Sequence, residues 1–486
     1  MCGIAVSFYK KQNSNRDTEP VAKMLDAIKH RGIDQVTINH YETCTVGFRR
    51  LAITDLKTDQ PQGNKLKVYL NGEIYNYKEL GYSGSECEVL AQGFQLEGEE
   101  FVKRLNGMFF ILVINGDKVF VFRDRYGIKP VYYFENDEII LIASEAKAIA
   151  AHPEYNFGIN KSAKQQWFVF NNILTDETLF HGIFKLDKGT WWNVNLNHKI
   201  KYWEWNFQPN ELMTFSAASQ KVKELIAQAI ERQTPKEVPY ASCLSGGIDS
   251  NVIALHLDKD VSTFTVGFEG IDDERKMAKL SGRNNSEIIF PGIYEFDKTI
   301  FHLEDLRVGA SWSNYGLYEF ISKCGKKVCF DGAGADELFG GYEWRYTELN
   351  YYKVANRTGV VDEYCEDLFH YIKFTEDTLE TRYAFDANYF LEGVLLTVDK
   401  LSMAHGIEMR LPFLDNDLVD FCLTLPNRFK KNKMFLKELY RNDIHPDIIN
   451  GPKKGFSSPN WIEGDGNQAL KWATAAFNSW EKIYKK

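Results

Sequence analysis

The sequence predicts an α+β first half built on stacked antiparallel sheets with helices. A doubly wound α/β second half built on a parallel sheet follows, with a helical C-terminal part. Three observations carry this. Short strands punctuated by tight-turn signals fill residues 1 to 205; helix and strand alternate from residue 215; and the strands of the second half run into glycines. The length of 486 residues fits two or three domains at roughly 100–200 residues each. Apolar residues at 44% and charged residues at 26% are ordinary globular usage and exclude disordered, collagen-like and low-complexity classes.

In the first half, GMFFILVINGDKVFVFRD sets Asn115-Gly116 between two apolar segments. Asn and Gly accept the positive φ of a two-residue hairpin turn, so this predicts paired strands. VYYFENDEIILIAS repeats the pattern around Asn136-Asp137. Helical spacing from Pro20 to His30 and from Glu86 to Leu96 supplies helices to pack on the sheets. The hydrophilic stretch 206–214 reads as a linker between domains at 1–205 and 215–486. Beyond it, SAASQKVKELIAQAIERQ has helical spacing, VPYASCLSGG is a strand entering glycines, VSTFTVGF is a strand, and KKVCFDGAG is another strand ending in glycines. A parallel sheet of this kind takes ligands at the C-terminal ends of its strands. The remainder to Lys486 is helical and aromatic-rich, and no internal repeat is present.

The formal charge of −9, from 67 acidic and 58 basic residues without a long basic block, leaves no footprint for a nucleic-acid backbone. No stretch approaches the ~18 apolar residues of a membrane span. The N-terminus MCGIAVSFYKKQ carries its charges after a short apolar run, the reverse of a signal peptide. A soluble, cytoplasmic protein with no membrane partner is expected. The eight cysteines form no CxxC pair and no close Cys/His cluster, which argues against a disulfide framework and a zinc site. Most read as small buried hydrophobes; Cys2 stands apart.

Ser245-Gly246-Gly247-Ile248-Asp249-Ser250 lies between a strand ending at Leu244 and a helix predicted to begin near Asn251. Glycines let backbone amides approach an anion, and a helix N-terminus adds unpaired N–H groups, so phosphate is the expected guest. The Lys of a Walker loop is missing, and Asp249 instead offers a hard oxygen suited to Mg²⁺ beside phosphate. The plainer reading is a glycine turn capped by Ser245 and Asp249. A second glycine loop, Asp331-Gly332-Ala333-Gly334-Ala335-Asp336-Glu337-Leu338-Phe339-Gly340-Gly341-Tyr342, again follows a strand and brings two adjacent carboxylates. At the other end, removal of Met1 would leave Cys2 with its thiol beside a free α-amine of pKa about 7.7–8.0. That is the arrangement of an N-terminal nucleophile with its own base. The plainer reading of Met1-Cys2-Gly3 is a buried strand residue.

The hexapeptide resembles the SGGxDS pyrophosphate loop of ATP pyrophosphatases, which cut ATP between the α and β phosphates. The first half resembles the N-terminal-nucleophile glutaminase domain of class II glutamine amidotransferases. It does so through His30-Arg31-Gly32-Ile33-Asp34, Arg49-Arg50-Leu51-Ala52-Ile53, Asn71-Gly72-Glu73-Ile74-Tyr75-Asn76, Gly107-Met108-Phe109 and Arg123-Asp124-Arg125-Tyr126-Gly127-Ile128-Lys129-Pro130. With Thr265-Val266-Gly267-Phe268, the run Lys400 to Asp415 and Pro452-Lys453-Lys454-Gly455-Phe456, the chain resembles the glutamine-hydrolysing asparagine synthetase family over essentially its whole length.

The resemblance implies roles residue by residue. Cys2 attacks the glutamine side-chain amide; Asn71 and Gly72 form the oxyanion hole; Arg50 takes the glutamine carboxylate; Glu73 and Glu86 belong to the glutamine pocket. In the second half, Leu244 and Val266 contact the nucleoside and Ser245, Gly246, Gly247 and Ser250 the pyrophosphate. Gly332 sits by the ribose and α-phosphate, Asp249 and Asp336 hold Mg²⁺, and Lys400, Arg410 and Lys453 neutralise phosphates. The implied substrates are glutamine, ATP and aspartate, with a homodimer as an allowed assembly. Two positions depart from the family pattern. Glu86 stands where Asp is usual, adding a methylene to the ammonium-binding carboxylate; glutaminase activity is expected to survive with weaker glutamine binding. Ala333 stands where Glu is usual, which opens the identity of the acceptor acid and makes Asp331, Glu337 or Glu408 candidate replacements. An amidotransferase acting on a sugar or peptide acid, and a β-lactam synthetase-like ring closer, are the alternatives. Intact Cys2, Arg50, Asn71 and Gly72 disfavour the ring closer.

Overall fold

The computed structural model describes residues 2–11, 17–271, 273–307, 311–342, 345–346, 356–360, 378–451, 459 and 461–485. Among the described residues, the first half contains eleven strands: β1 (Cys2–Tyr9), β2 (Gln35–His40), β3 (Cys44–Arg50), β4 (Leu66–Ile74), β5 (Gly107–Asn115), β6 (Lys118–Arg123), β7 (Tyr132–Glu135), β8 (Ile139–Ala143), β9 (Ile183–Lys185), β10 (Thr190–Asn193) and β11 (His198–Lys201). They form a six-stranded sheet in the order β2-β3-β1-β8-β7-β9 and a five-stranded sheet in the order β11-β10-β6-β5-β4. Both hairpins form, β5–β6 and β7–β8, with the turns one residue further on: Asn115 pairs with Lys118 around Gly116-Asp117, and the Asn136 N–H donates to the Ile139 carbonyl around Asp137-Glu138.

The alternation of β1 explains the layering. Cys2, Ile4, Val6 and Phe8 join Tyr69, Phe110 and Leu112 in the core between the sheets, while Ala5 joins Val21 and Leu25 of the helix Glu19–Ala27. On the far face of the second sheet, Leu66, Val68 and Leu70 pack against Cys87, Leu90 and Phe94 of the helix Glu86–Glu97. A strand covered on both faces has no polar side, which is why CGIAVSFY reads as nearly continuous apolar sequence. The helix predicted from Pro20 to His30 stops at Ala27, and a 3₁₀ turn over Lys29–Arg31 replaces its last turn.

No strand or helix occupies residues 202–214. The helix Phe215–Gln233 follows, capped by Thr214. The second half contains β12 (Tyr240–Cys243), β13 (Thr263–Phe268), β14 (Asn285–Phe290), β15 (Val328–Phe330) and β16 (Glu408–Arg410), all parallel in the order β14-β13-β12-β15-β16. The order reverses at β12, so the crevice at the ends of β12 and β15 is the topological switch point where such sheets bind ligands. Helices Ile248–His256, Ser311–Lys323 and Leu391–Met403 flank the sheet, and Gln468–Tyr484 closes the chain. Among the described residues no helix is long and apolar enough to cross a membrane.

Candidate functional site

The first candidate site lies at the N-terminal end of β1. Cys2 is paired in register with Arg50 at the end of β3, so the strand pairing alone puts thiol and guanidinium side by side. The second sheet supplies Asn71 from β4: the Cys2 N–H donates to Asn71 Oδ1 at 3.0 Å. Ser144 fixes that amide, accepting from Asn71 Nδ2 at 3.3 Å and from the Ile4 N–H at 3.0 Å. Sequence reading missed Ser144, since a serine after a strand carries no signal of its own. Gly72 has φ +144, and a Cβ there would lie 1.9 Å from the Met108 carbonyl oxygen, so no larger residue fits. The Arg50 guanidinium donates to the Asp55 carbonyl at 2.5 Å and the Thr54 carbonyl at 3.3 Å. Burial pushes the Cys2 thiol up, opposed in part by the backbone of Leu51 and the charge of Arg50.

Glu86 begins the helix Glu86–Glu97, whose N-terminus is fixed by a capping box between Ser85 and Glu88. Its carboxylate accepts from the Ile74 N–H at the end of β4. Burial, then the charge of Glu73, holds the Glu86 carboxyl well above the usual range. Glu73 is bonded to Arg410 of the second half.

The second candidate site is a cavity of about 560 Å³ at the switch point of the parallel sheet. Leu244, Ser245, Gly246, Gly247, Asp249, Ser250, Val266, Gly332 and Asp336 all line it. The loop is tied by its own side chains. Ser245 N–H donates to Ser250 Oγ at 3.0 Å, Gly247 N–H to Ser245 Oγ at 3.1 Å, and Asn251 Nδ2 to the Gly247 carbonyl at 2.8 Å. The helix begins at Ile248, earlier than expected, so Asp249 sits in its first turn. A Cβ on Gly332 would lie 2.9 Å from the Asp249 Cβ, so glycine is what lets the two loops meet. Of the carboxylates weighed against Ala333, Asp331 and Glu337 line the cavity and Glu408 does not. Burial, then Asp336, pushes Glu337 up to about 7.

Two of the three basic residues expected at the phosphates, Lys400 and Arg410, need correction. The Lys400 ammonium donates to Tyr132 Oη at 2.6 Å and pairs with Glu304 at 3.2 Å. Arg410 is buried against Glu73 and pairs with Glu408 at 2.6 Å. Neither lines the cavity. A basic residue beside a motif does not announce its direction: on β16, Glu408 and Arg410 alternate with Met409 and share the face turned to the first half. Lys453 lies outside the described residues. Two cations that do line the cavity, Lys433 and Lys437, were missed; Lys433 sits in the run Lys430-Lys431-Asn432-Lys433, which reads as ordinary surface charge.

The residues present fit a divalent cation. Among the described residues no group of three or more His, Cys, Asp or Glu is placed to hold a metal. Asp249 and Asp336 nevertheless meet on one lysine ammonium at the cavity. Two hard carboxylates completed by phosphate oxygens make a Mg²⁺ donor set.

A family model described as a glutamine amidotransferase domain matches residues 1–203, and one described as asparagine synthase matches residues 221–482. The class is thus an amidotransferase domain joined to a synthase domain. Asparagine synthetase (glutamine-hydrolyzing) 1 of Bacillus subtilis (strain 168) is 30% identical, over 97% of this chain and 89% of its own length. Asparagine synthetase (glutamine-hydrolyzing) 3 of Arabidopsis thaliana is 27% identical, over 97% of this chain and 82% of its own. The solved structure of the allosteric regulatory enzyme of purine biosynthesis aligns with a TM-score of 0.34 at 11% identity, covering 60% of this chain and 82% of that chain. The chain belongs to the asparagine synthase family.

Proposed function

We propose that the protein makes asparagine from aspartate, ATP and glutamine, with glutamate, AMP and pyrophosphate as the other products. The observation that carries this reading is the coexistence of two sites in one chain. A buried cysteine at a strand end faces Asn71 and Arg50, and a cavity of nucleotide size lies where two glycine loops bring Asp249 and Asp336 together.

At the first site, Cys2 Sγ attacks the side-chain carbonyl carbon of glutamine. The C–N bond breaks, ammonia leaves with the thiol proton, and water releases glutamate from the thioester. Asn71 and the Gly72 N–H face the oxyanion, and losing one such donor typically costs about 100- to 1000-fold in kcat. At the second site, the aspartate β-carboxylate attacks the α-phosphorus of ATP and pyrophosphate leaves. Ammonia then displaces AMP from the acyl carbon. The loop Ser245–Ser250 holds the departing phosphates with backbone amides and the helix N-terminus behind them. Asp249 and Asp336 would hold Mg²⁺, which neutralises pyrophosphate charge. Ala333 supplies no carboxylate, and we assign the orienting of ammonia to Asp331 and Glu337, which line the cavity.

Release of pyrophosphate from ATP that depends on aspartate tests the reading, with AMP as the nucleotide product and glutamine or ammonia as nitrogen donor. Cys2→Ala is expected to abolish synthesis from glutamine and spare synthesis from ammonia. ADP in place of AMP would sink the adenylate reading, and release with another acid but not aspartate would move the assignment to a different acceptor.

A further inference from the structure

The cation between the two glycine loops has no assigned task. The Lys433 ammonium lies 2.6 Å from Asp336 Oδ1 and also bonds Asp249 Oδ2, and its side chain is 6% exposed. The surrounding backbone is shaped to bring it there. Asn432 and Lys433 both adopt left-handed φ, 50° and 54°, a conformation that non-glycine residues keep only when their surroundings enforce it. Opposite them, a Cβ on Gly341 would lie 1.7 Å from Asp336 Oδ1 and 2.5 Å from Lys433 Cε. Any side chain at that position would push into the pair.

We propose that Lys433 is a resident counter-cation at the metal position: it holds Asp249 and Asp336 together in the empty protein and yields that place when a divalent cation arrives with ATP. This rests on the reading of Asp249 and Asp336 as the metal carboxylates. The electrostatics set the order of events. Two carboxylates facing one another repel unless a cation lies between them. A divalent cation entering alone would meet the ammonium already there, leaving three positive charges against two negative. ATP brings the missing negative charge, so the ammonium turns to a phosphate oxygen while the metal takes the carboxylates. Lys433 is a positioning residue, and its signature is synergy: metal and nucleotide each bind poorly without the other.

The test measures Mn²⁺ binding by paramagnetic resonance, with and without α,β-methylene-ATP, in the unsubstituted protein, Lys433→Met and Asp249→Asn. The unsubstituted protein is expected to bind Mn²⁺ at least about tenfold more tightly with the analogue than without it. In Lys433→Met, Mn²⁺ alone should bind on the order of tenfold more tightly, and the analogue at saturating Mn²⁺ more weakly. A folded Lys433→Met that binds Mn²⁺ alone no more tightly overturns the proposal. Should that variant fail to fold, equal Mn²⁺ affinity with and without nucleotide in the unsubstituted protein overturns it instead. Mn²⁺ that binds Asp249→Asn as tightly as the unsubstituted protein sinks the metal reading itself, whatever Lys433 does.

Discussion

Cys2, the nucleophile we propose, takes little of its setting from its own neighbourhood and much from distant residues. Its backbone N–H is held by Asn71, and Arg31 Nε donates to its carbonyl at 3.0 Å. Glu86 is the residue we propose as the partner of the glutamine ammonium, and its carboxyl is held well above the ordinary range by burial and then by Glu73. An ammonium is bound by the carboxylate, not the acid. The KM for glutamine should therefore fall as pH rises from mildly acid to mildly alkaline, and Glu86→Gln should raise that KM and flatten its pH dependence. A pH-independent KM in the unsubstituted protein would rule out Glu86 as the ammonium partner. Residues in contiguous motifs, Cys2, Asn71 and Ser245 to Ser250, were legible from sequence because the motif fixes both type and direction. Lys400, Arg410 and Lys433 were not, because a long flexible cation is aimed by tertiary contacts that spacing does not encode.

Strands show the same division. The hairpins at Asn115-Gly116 and Asn136-Asp137 were readable, since turn chemistry is local. In the second half β12, β13 and β15 were readable from apolar runs that end in or near glycines, whereas β14, NSEIIF, and the three-residue β16 were not. An edge strand with a polar start and a strand shorter than one alternation carry no usable period. Strand β4 has the tightest demand. Gly72 pairs with Phe109 and leaves no space beside the Met108 carbonyl. Gly72→Ala must push β4 from β5 or twist its backbone, at a cost of roughly 1–3 kcal/mol. That corresponds to a drop of several degrees in melting temperature, together with loss of glutamine hydrolysis. A variant that melts unchanged and still hydrolyses glutamine would show that the strand pair adapts.

Across the whole molecule, buried charges join the halves. Arg31 pairs with Glu145 at 2.7 Å and with Asp399 at 2.9 Å, and Lys129 reaches Asp399 at 3.1 Å. Arg123 and Lys185 both reach Glu392 at 2.8 Å, and Glu304 accepts from the Ala146 and Lys147 N–H groups at 2.9 and 2.7 Å. Asp399→Asn leaves Arg31 and Lys129 short of a counter-charge in a dry site, where breaking a pair costs about 3–5 kcal/mol. The expected outcome is a lower melting temperature accompanied by slower glutamine hydrolysis, since Arg31 also holds the Cys2 carbonyl. Thermal denaturation and a glutaminase assay read both, and a loss of stability without any change in hydrolysis would separate the interface from the thiol.

The Arg31–Asp399 contact spans 368 positions of sequence. A ribosome adding roughly 5–20 residues per second needs on the order of tens of seconds to pass from one partner to the other. Throughout that interval the nascent chain already carries Cys2, while the arginine that holds its carbonyl still lacks one of its two anions. The setting of Arg31 beside Cys2 is therefore completed late in synthesis, once the second half has emerged to supply Asp399.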